Sequence, residues 1–252
     1  MVYNDMNIEG KQRGRKTRWL GDPRNLIKEA MAWGHPALSE YESKRFLQSL
    51  GIPVVREGIV PDAESAAAEA LRIGFPVVLK ASGKDLYHKT EVGGVALNLK
   101  SREEVMDECQ RLLKIKGCEA LLVQEMVRGD RELVCGLTRD AGFGPCVMFG
   151  LGGIFTELLE DVAFRIAPLT PWDAREMMQE IKSRKIIGPF RGEPAVEVET
   201  LAQILVTLGD IGMQYEEVLE IDINPLKIRY DGKPVSVDAL VVLNPDAQPR
   251  NL

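Results

Sequence analysis

An α+β fold in two lobes is what this chain predicts, on three observations. Helical and strand patterns are mixed from end to end, several strands follow one another late in the chain, and a break between two patterned halves falls at the end of "LLVQEM". Regular alternation of strand and helix, the mark of a doubly wound parallel sheet, does not run through it. The 252 residues, 45% hydrophobic and 28% charged, suit one large domain or two smaller lobes and need no staples to hold a core.

Residues 1–25 carry six basic and three acidic residues with almost no periodicity, and residues 1–36 are expected to form a basic N-terminal arm, mobile or bound to a partner. The first lobe is expected over 37–125 and the second over 126–252. In "SEYESKRFLQSLGIP", Ser39 and Glu42 make a capping box, Phe46, Leu47 and Leu50 an apolar face, and Gly51 then Pro53 a stop. "VVREGIV" reads as a strand. The next helix is capped by Asp62 and stopped by Gly74 and Pro76; "VVLKA" is a strand carrying Lys80 near its end. A polar loop precedes the strand "VALNL", and Ser101 with Glu104 opens a third capped helix. "ALLVQEMV", "RELVCGL" and "PCVMFG" are strands; residues 171–184 and 198–215 have helical periodicity. "VLEIDI" and "KIRYDGKPVSVDALVV" close the chain as strands, the latter a hairpin turning at Asp231-Gly232.

Composition excludes several classes of function. A net charge of −6 is wrong for a nucleic-acid protein, whose phosphate contacts want a basic excess. No run of about 18 apolar residues exists to span a membrane, and the N-terminus has no apolar signal core. Cys109, Cys118, Cys135 and Cys146 form no C-x-x-C pair, so they are expected to be reduced thiols of a cytoplasmic protein, with no zinc site.

Four places carry chemistry. "EIDINPL" puts Asp222 and Asn224 on one face of a strand, and the following hairpin returns Asp238 close to Asn224. Such oxygens suit Mg²⁺ when nucleotide phosphates and waters complete its shell, or else they are a polar strand end closed by an Asn-Pro turn. Lys80 is either a snorkelling edge residue or an ammonium delivered to a phosphate from a rigid strand. Glu125 ends one buried strand and Glu132 begins the next. They are solvated strand-end charges, or acceptors for adenine and ribose beside the Met126 and Val127 backbone. "GLGGIFTE" follows a strand as half of a dinucleotide fingerprint, but Phe155 stands where the third glycine belongs and prolines follow at 168 and 171, so that reading fails. The glycine turn with Glu157 can still line a phosphate path.

In order, "HKTEVGGV", "GLGGIFTELLEDVAFRIAPL" and "EIDINPL" resemble one family, over residues 37–243: the ATP-grasp, or β, subunits of ADP-forming acyl-CoA (acetate–CoA) synthetases, relatives of succinyl-CoA synthetase. The resemblance implies an ATP-grasp fold with the nucleotide, ATP or ADP, between the lobes. It implies that Lys80 holds nucleotide phosphate, that Glu125, Glu132 and the Met126–Val127 backbone meet adenine and ribose, and that Asn224 and Asp238 bind Mg²⁺. His88 falls where the family carries a second phosphohistidine. Imidazole is a competent nucleophile near neutral pH; Lys89 can offset developing phosphate charge, and Gly93 and Gly94 can anchor a moving loop. The family's CoA-binding part, acyl site and first phosphohistidine lie in an α chain or a fused region absent from this sequence. The resemblance therefore implies such a partner, in an α2β2 hetero-oligomer. A stand-alone carboxylate–amine ligase leaves His88 idle and wants a substrate domain; a non-catalytic regulatory subunit keeps nucleotide binding without a phosphoenzyme.

Overall fold

The computed structural model describes residues 22–83, 92–153 and 160–247. Its elements are α1 (Arg24–Ala32), α2 (Glu40–Ser49), β1 (Glu57–Val60), α3 (Ala63–Ile73), β2 (Val77–Ser82), β3 (Val95–Leu99), α4 (Arg102–Leu112), β4 (Ala120–Glu125), β5 (Glu132–Asp140), β6 (Gly144–Leu151), β7 (Val162–Ile166), α5 (Pro171–Glu180), α6 (Val198–Gln214), β8 (Val218–Ile228), β9 (Pro234–Ser236) and β10 (Leu240–Leu243). Two antiparallel sheets result. The first has the order β1-β4-β2-β3; the second runs β10-β8-β5-β6-β7, with β9 against the far end of β8. This is the mixed α+β class that the sequence predicts.

Each sheet has its own core. In the first, α3 and α4 lay Ala66, Ala67, Ala70, Val105 and Cys109 on Leu79, Leu121 and Val123. Small alanines at helical spacing let α3 approach the strands closely. In the larger core, Leu201, Leu205 and Leu208 of α6 and Met177 of α5 cover Leu137, Val147, Phe149, Ile221 and Ile223. Strand alternation turns Asp222 and Asn224, interleaved with those isoleucines, to the opposite face.

The helix starts hold where they were read. Ser39 and Glu42 exchange both bonds of a capping box, and Asp62 and Ser101 accept from the backbone N–H of Ser65 and Glu104. Four stretches depart from the sequence reading. Residues 24–32, included in the expected arm, form α1, which buries Leu26, Ile27 and Ala30 in the larger core. Residues 40–49, assigned to the first lobe, bury Phe46 and Leu47 in that same second-lobe core. The helix at 171 ends at Glu180 because buried Asp161 takes the backbone N–H groups of Lys182 and Ser183 at 2.6 and 2.7 Å, and a single 3₁₀ turn, Arg184–Ile187, follows. "VVREGIV" is a strand only from Glu57, since Val54 bridges to Ser236 and Val55 packs with Val127 and Val235 between the lobes.

No helix among the described residues is long and apolar enough to cross a membrane. The four cysteines are free; burial pushes the Cys109 thiol up to about 12.

Candidate functional site

β2 carries Lys80 one turn of the pleat from its end, buried where the first sheet meets the second lobe. Its ammonium lies 2.6 Å from Glu40 Oε1 and 3.6 Å from Asp238 Oδ2. Burial works against the charge, but the carboxylates of Glu40 and Asp238 outweigh it and hold the lysine protonated, with its pKa above the ordinary value. Asp238 follows β9, in the short link to β10, and β8 pairs with both of those strands. Asn224 on β8 therefore lies close by, as the hairpin reading expected. Asn224 Oδ1 accepts the Gly153 N–H at 3.2 Å.

The electrostatics of this corner suit a cation. Burial first, then the carboxylates of Glu220 and Asp238, push the Asp222 carboxyl up to about 6. Most of that rise is burial; the smaller part that comes from the neighbouring acids is repulsion that a divalent ion would relieve. The donor set is hard oxygen, a neutral amide and a carboxylate, as Mg²⁺ prefers. Among the described residues no group of three or more His, Cys, Asp or Glu is placed to hold a metal, so any ion here would draw its remaining ligands from phosphate and water.

At the other end, β4 leaves the first sheet at Glu125 and the chain enters the second at Glu132. Glu125 is buried and accepts from the Arg56 backbone N–H and Nε, both at 3.0 Å, and from Arg229. Burial alone would raise its pKa, but the bonds from Arg229 and Arg56 prevail and lower it. The Met126 N–H is donated to the Pro76 carbonyl at 3.2 Å, and Val127 is buried against Val55 and Val235. Glu132 pairs with Lys227 at 3.1 Å and lies over Gly153. Gly153 has φ +73°, a conformation that favours glycine, and a Cβ there would stand 2.3 Å from Glu132 Oε2, so that glutamate would have to shift.

Gly93 and Gly94 are tied down: Gly93 O accepts from Arg111 at 2.7 Å and Gly94 O from the Ala81 N–H at 2.8 Å. His88, Lys89 and Glu157 lie outside the described residues.

Sequence reasoning missed the polar chain behind Lys80. The fully buried Lys44 ammonium bonds Glu40 Oε1 at 2.7 Å, Glu57 Oε2 at 2.5 Å and the Val237 carbonyl at 3.2 Å. Gln124 Nε2 bridges Glu57 and Val237 O. The available signal was Glu40-x-x-x-Lys44, an i, i+4 pair on a helix that the sequence reading took for its cap, apolar face and stop.

A family model described as an ATP-grasp domain matches residues 29–243. The ADP-forming acetate–CoA ligase I subunit beta of Pyrococcus furiosus is 39% identical over 227 residues, 87% of this chain and 97% of that one. The ADP-forming acetate–CoA ligase I of Archaeoglobus fulgidus is also 39% identical, over 78% of this chain and 30% of its own greater length. A solved structure of the dinucleotide-forming acetyl-coenzyme A synthetase 1 of Candidatus Korarchaeum cryptofilum holds coenzyme A and Mg-AMPPCP, with its phosphohistidine segment pointing towards the nucleotide binding site. It matches with a TM-score of 0.80 at 42% identity, covering 88% of this chain and 100% of that one. The chain belongs to the ATP-grasp family, as a homologue of the β subunits of ADP-forming acetate–CoA ligases.

Proposed function

We propose that this chain is the nucleotide-binding subunit of an ADP-forming acyl-CoA synthetase, catalysing acyl-CoA + ADP + phosphate = acid + CoA + ATP together with a CoA-binding α chain, in an α2β2 assembly in the cytoplasm. The observation that carries the reading is the meeting of Lys80 and Asp238, 3.6 Å apart between the lobes, with Asn224 on the neighbouring strand. The Pyrococcus relative is a β subunit, and the Archaeoglobus relative is one longer chain of which this one matches 30%, which fits a separate α chain here.

In this reading Lys80 contacts nucleotide phosphate as a point charge fixed on a strand. Asn224 and Asp238 hold Mg²⁺, which when bound neutralises charge on the phosphate oxygens. Glu132 and the 125–127 hinge border the adenine and ribose; Glu125, whose oxygens accept from two arginines, acts there through Arg56 and Arg229. His88 takes a phosphoryl group from the partner's histidine and passes it on: its P–N bond breaks as a terminal oxygen of ADP bonds to phosphorus. Lys89 offsets the charge of the group in transit, and Gly93 and Gly94 anchor the segment. The support for His88 is its place in "HKTEVGGV" and the phosphohistidine segment of the Korarchaeum relative.

The test reconstitutes the chain with its CoA-binding partner and follows ATP formation. The isolated chain should bind Mg-ADP without turning over acyl-CoA. His88→Asn should keep nucleotide affinity and abolish ATP formation. A fall of only about 10²–10³, the effect of losing one stabilising donor, with no phosphate on His88 by mass spectrometry, would leave His88 a binding residue. Nucleotide binding with no phosphoenzyme in any state would instead favour a regulatory subunit.

A further inference from the structure

Lys80 has two carboxylate neighbours at unequal distances. Glu40 Oε1 is at 2.6 Å, a charge-assisted hydrogen bond, whereas Asp238 Oδ2 is at 3.6 Å, beyond a direct one. Glu40 itself is not left to choose its place. It opens α2, whose apolar face is locked into the larger core through Phe46 and Leu47. One helical turn on, Lys44 donates to the same Glu40 oxygen at 2.7 Å. The Lys44 ammonium has three protons and meets three acceptors, Glu40, Glu57 and the Val237 carbonyl, so it has no spare bond with which to release Glu40. The carbonyl it grips belongs to the residue before Asp238. One buried lysine thus sets both the carboxylate that holds Lys80 and the backbone that presents Asp238.

We propose, resting on the nucleotide and metal roles argued above, that Glu40 is a positioning residue: anchored by Lys44, it holds the Lys80 ammonium off the Asp238 carboxylate, so that the ammonium serves phosphate and the carboxylate serves Mg²⁺. A lysine and an aspartate left to themselves at this range close into an ion pair, and an ion must then break that pair to reach the carboxylate. Glu40 weakens this competition, holding the ammonium from a rigid helix at 2.6 Å while Asp238 stays at 3.6 Å. The hydrogen bond to Glu40 uses one of the three Lys80 protons and leaves others that a phosphate can take.

Glu40→Gln keeps the size and an acceptor but loses the charge. Lys80 should then move onto Asp238, and the Mg²⁺ concentration giving half-maximal ADP binding by the isolated chain should rise about tenfold, the effect of one modest charge-assisted contact. Glu57→Gln alters the same buried chain one link further from Lys80. It should lower the melting temperature yet leave the Mg²⁺ midpoint within about twofold of the parent's, since Glu57 does not bond Lys80. Should Glu40→Gln fail to fold, Glu40→Asp replaces it. Aspartate is well suited to the first turn of a helix, keeps the charge and shortens the reach, and should raise the midpoint while preserving the fold. A midpoint unchanged in the folded Glu40 variant, or raised equally by Glu57→Gln, overturns the proposal and leaves the chain a purely structural strut. ADP binding by the parent that does not depend on Mg²⁺ would overturn the metal assignment itself, and this inference with it.

Discussion

Two ionic clusters tie the first sheet to the second lobe, and neighbouring residues feed both. Glu57 and Gln124 are register partners on β1 and β4; Glu57 pairs with Lys44, and Gln124 donates to Glu57. The residues beside them in sequence, Arg56 and Glu125, pair with each other and reach Arg229 near the end of β8. Strand alternation thus sends one pair to each side of the sheet. In the first cluster the Lys44 and Glu57 side chains are both 0% exposed; in the second, the Arg56 side chain is 62% exposed. The carboxyls respond in opposite senses. Burial pushes Glu57 up in spite of Lys44, while Arg229 and Arg56 hold Glu125 down in spite of burial. The first cluster fixes geometry at an electrostatic cost. The second gains net attraction because its arginines keep their hydration.

The largest expected effect follows from breaking the buried cluster. Lys44→Met leaves Glu40 and Glu57 facing each other without the ammonium between them. Removal of one partner from a buried ionic group costs about 3–5 kcal/mol. Urea denaturation of the isolated chain should show that loss, and a loss below about 1 kcal/mol would mean that water reaches this site and the comparison is wrong.

Next comes Glu125→Gln, which removes the carboxylate common to two arginines. Hydrogen bonds to charged groups contribute about 1.5–3 kcal/mol each when buried. With one arginine largely in solvent, the expected loss is about 1–2 kcal/mol at neutral pH.

The opposite shifts give a sharper test in pH. Glu125 has a lowered folded pKa, so its contribution is present above the unfolded value of 4.5 and is lost as pH falls through the folded value. Glu57 has a raised folded pKa, so the wild-type chain carries the cost of ionising it only as pH climbs above 4.5. The loss caused by Glu125→Gln should therefore be level above about pH 4.5 and shrink as pH falls below it, whereas the loss caused by Glu57→Gln should be level below about pH 4.5 and shrink as pH climbs above it. Parallel trends in the two variants would show that burial does not separate the clusters.

The parts of this design that sequence made legible are the local ones. A capping box such as Ser39 with Glu42 lies within one turn, and the strands around Lys80 and Asp222 announce themselves by period and by flanking turns. Helix α1 was hidden because Leu26, Ile27 and Ala30 make little more than one turn of apolar face among charges, and only the second lobe's core gives them a reason to fold. The nearness of Lys80 to Asp238 was readable only through the family resemblance, since nothing local joins β2 to the β9–β10 link. Glu40 and Lys44 were visible as a helical pair, but their meaning depends on Glu57 and Val237, which are brought to them by packing of the two lobes.

The smallest effect is expected at Arg56, where exposure should make the contact weak and sensitive to salt. Arg56→Gln removes the side-chain bonds to Glu125 but leaves the backbone N–H bond at 3.0 Å and the Arg229 partner in place. Exposed ion pairs contribute about 0.2–1 kcal/mol, so a loss near 0.5 kcal/mol is expected in dilute buffer. At 1 M salt the screening length falls to about 3 Å, shorter than the reach of a hydrated guanidinium, and the difference from the parent should all but vanish. Lys44→Met should cost nearly the same at both salt concentrations, because ions do not enter the site where its ammonium lies. Equal salt sensitivity in Arg56→Gln and Lys44→Met would place the two clusters in one dielectric environment, and the contrast in their carboxyl shifts would then need a cause other than burial.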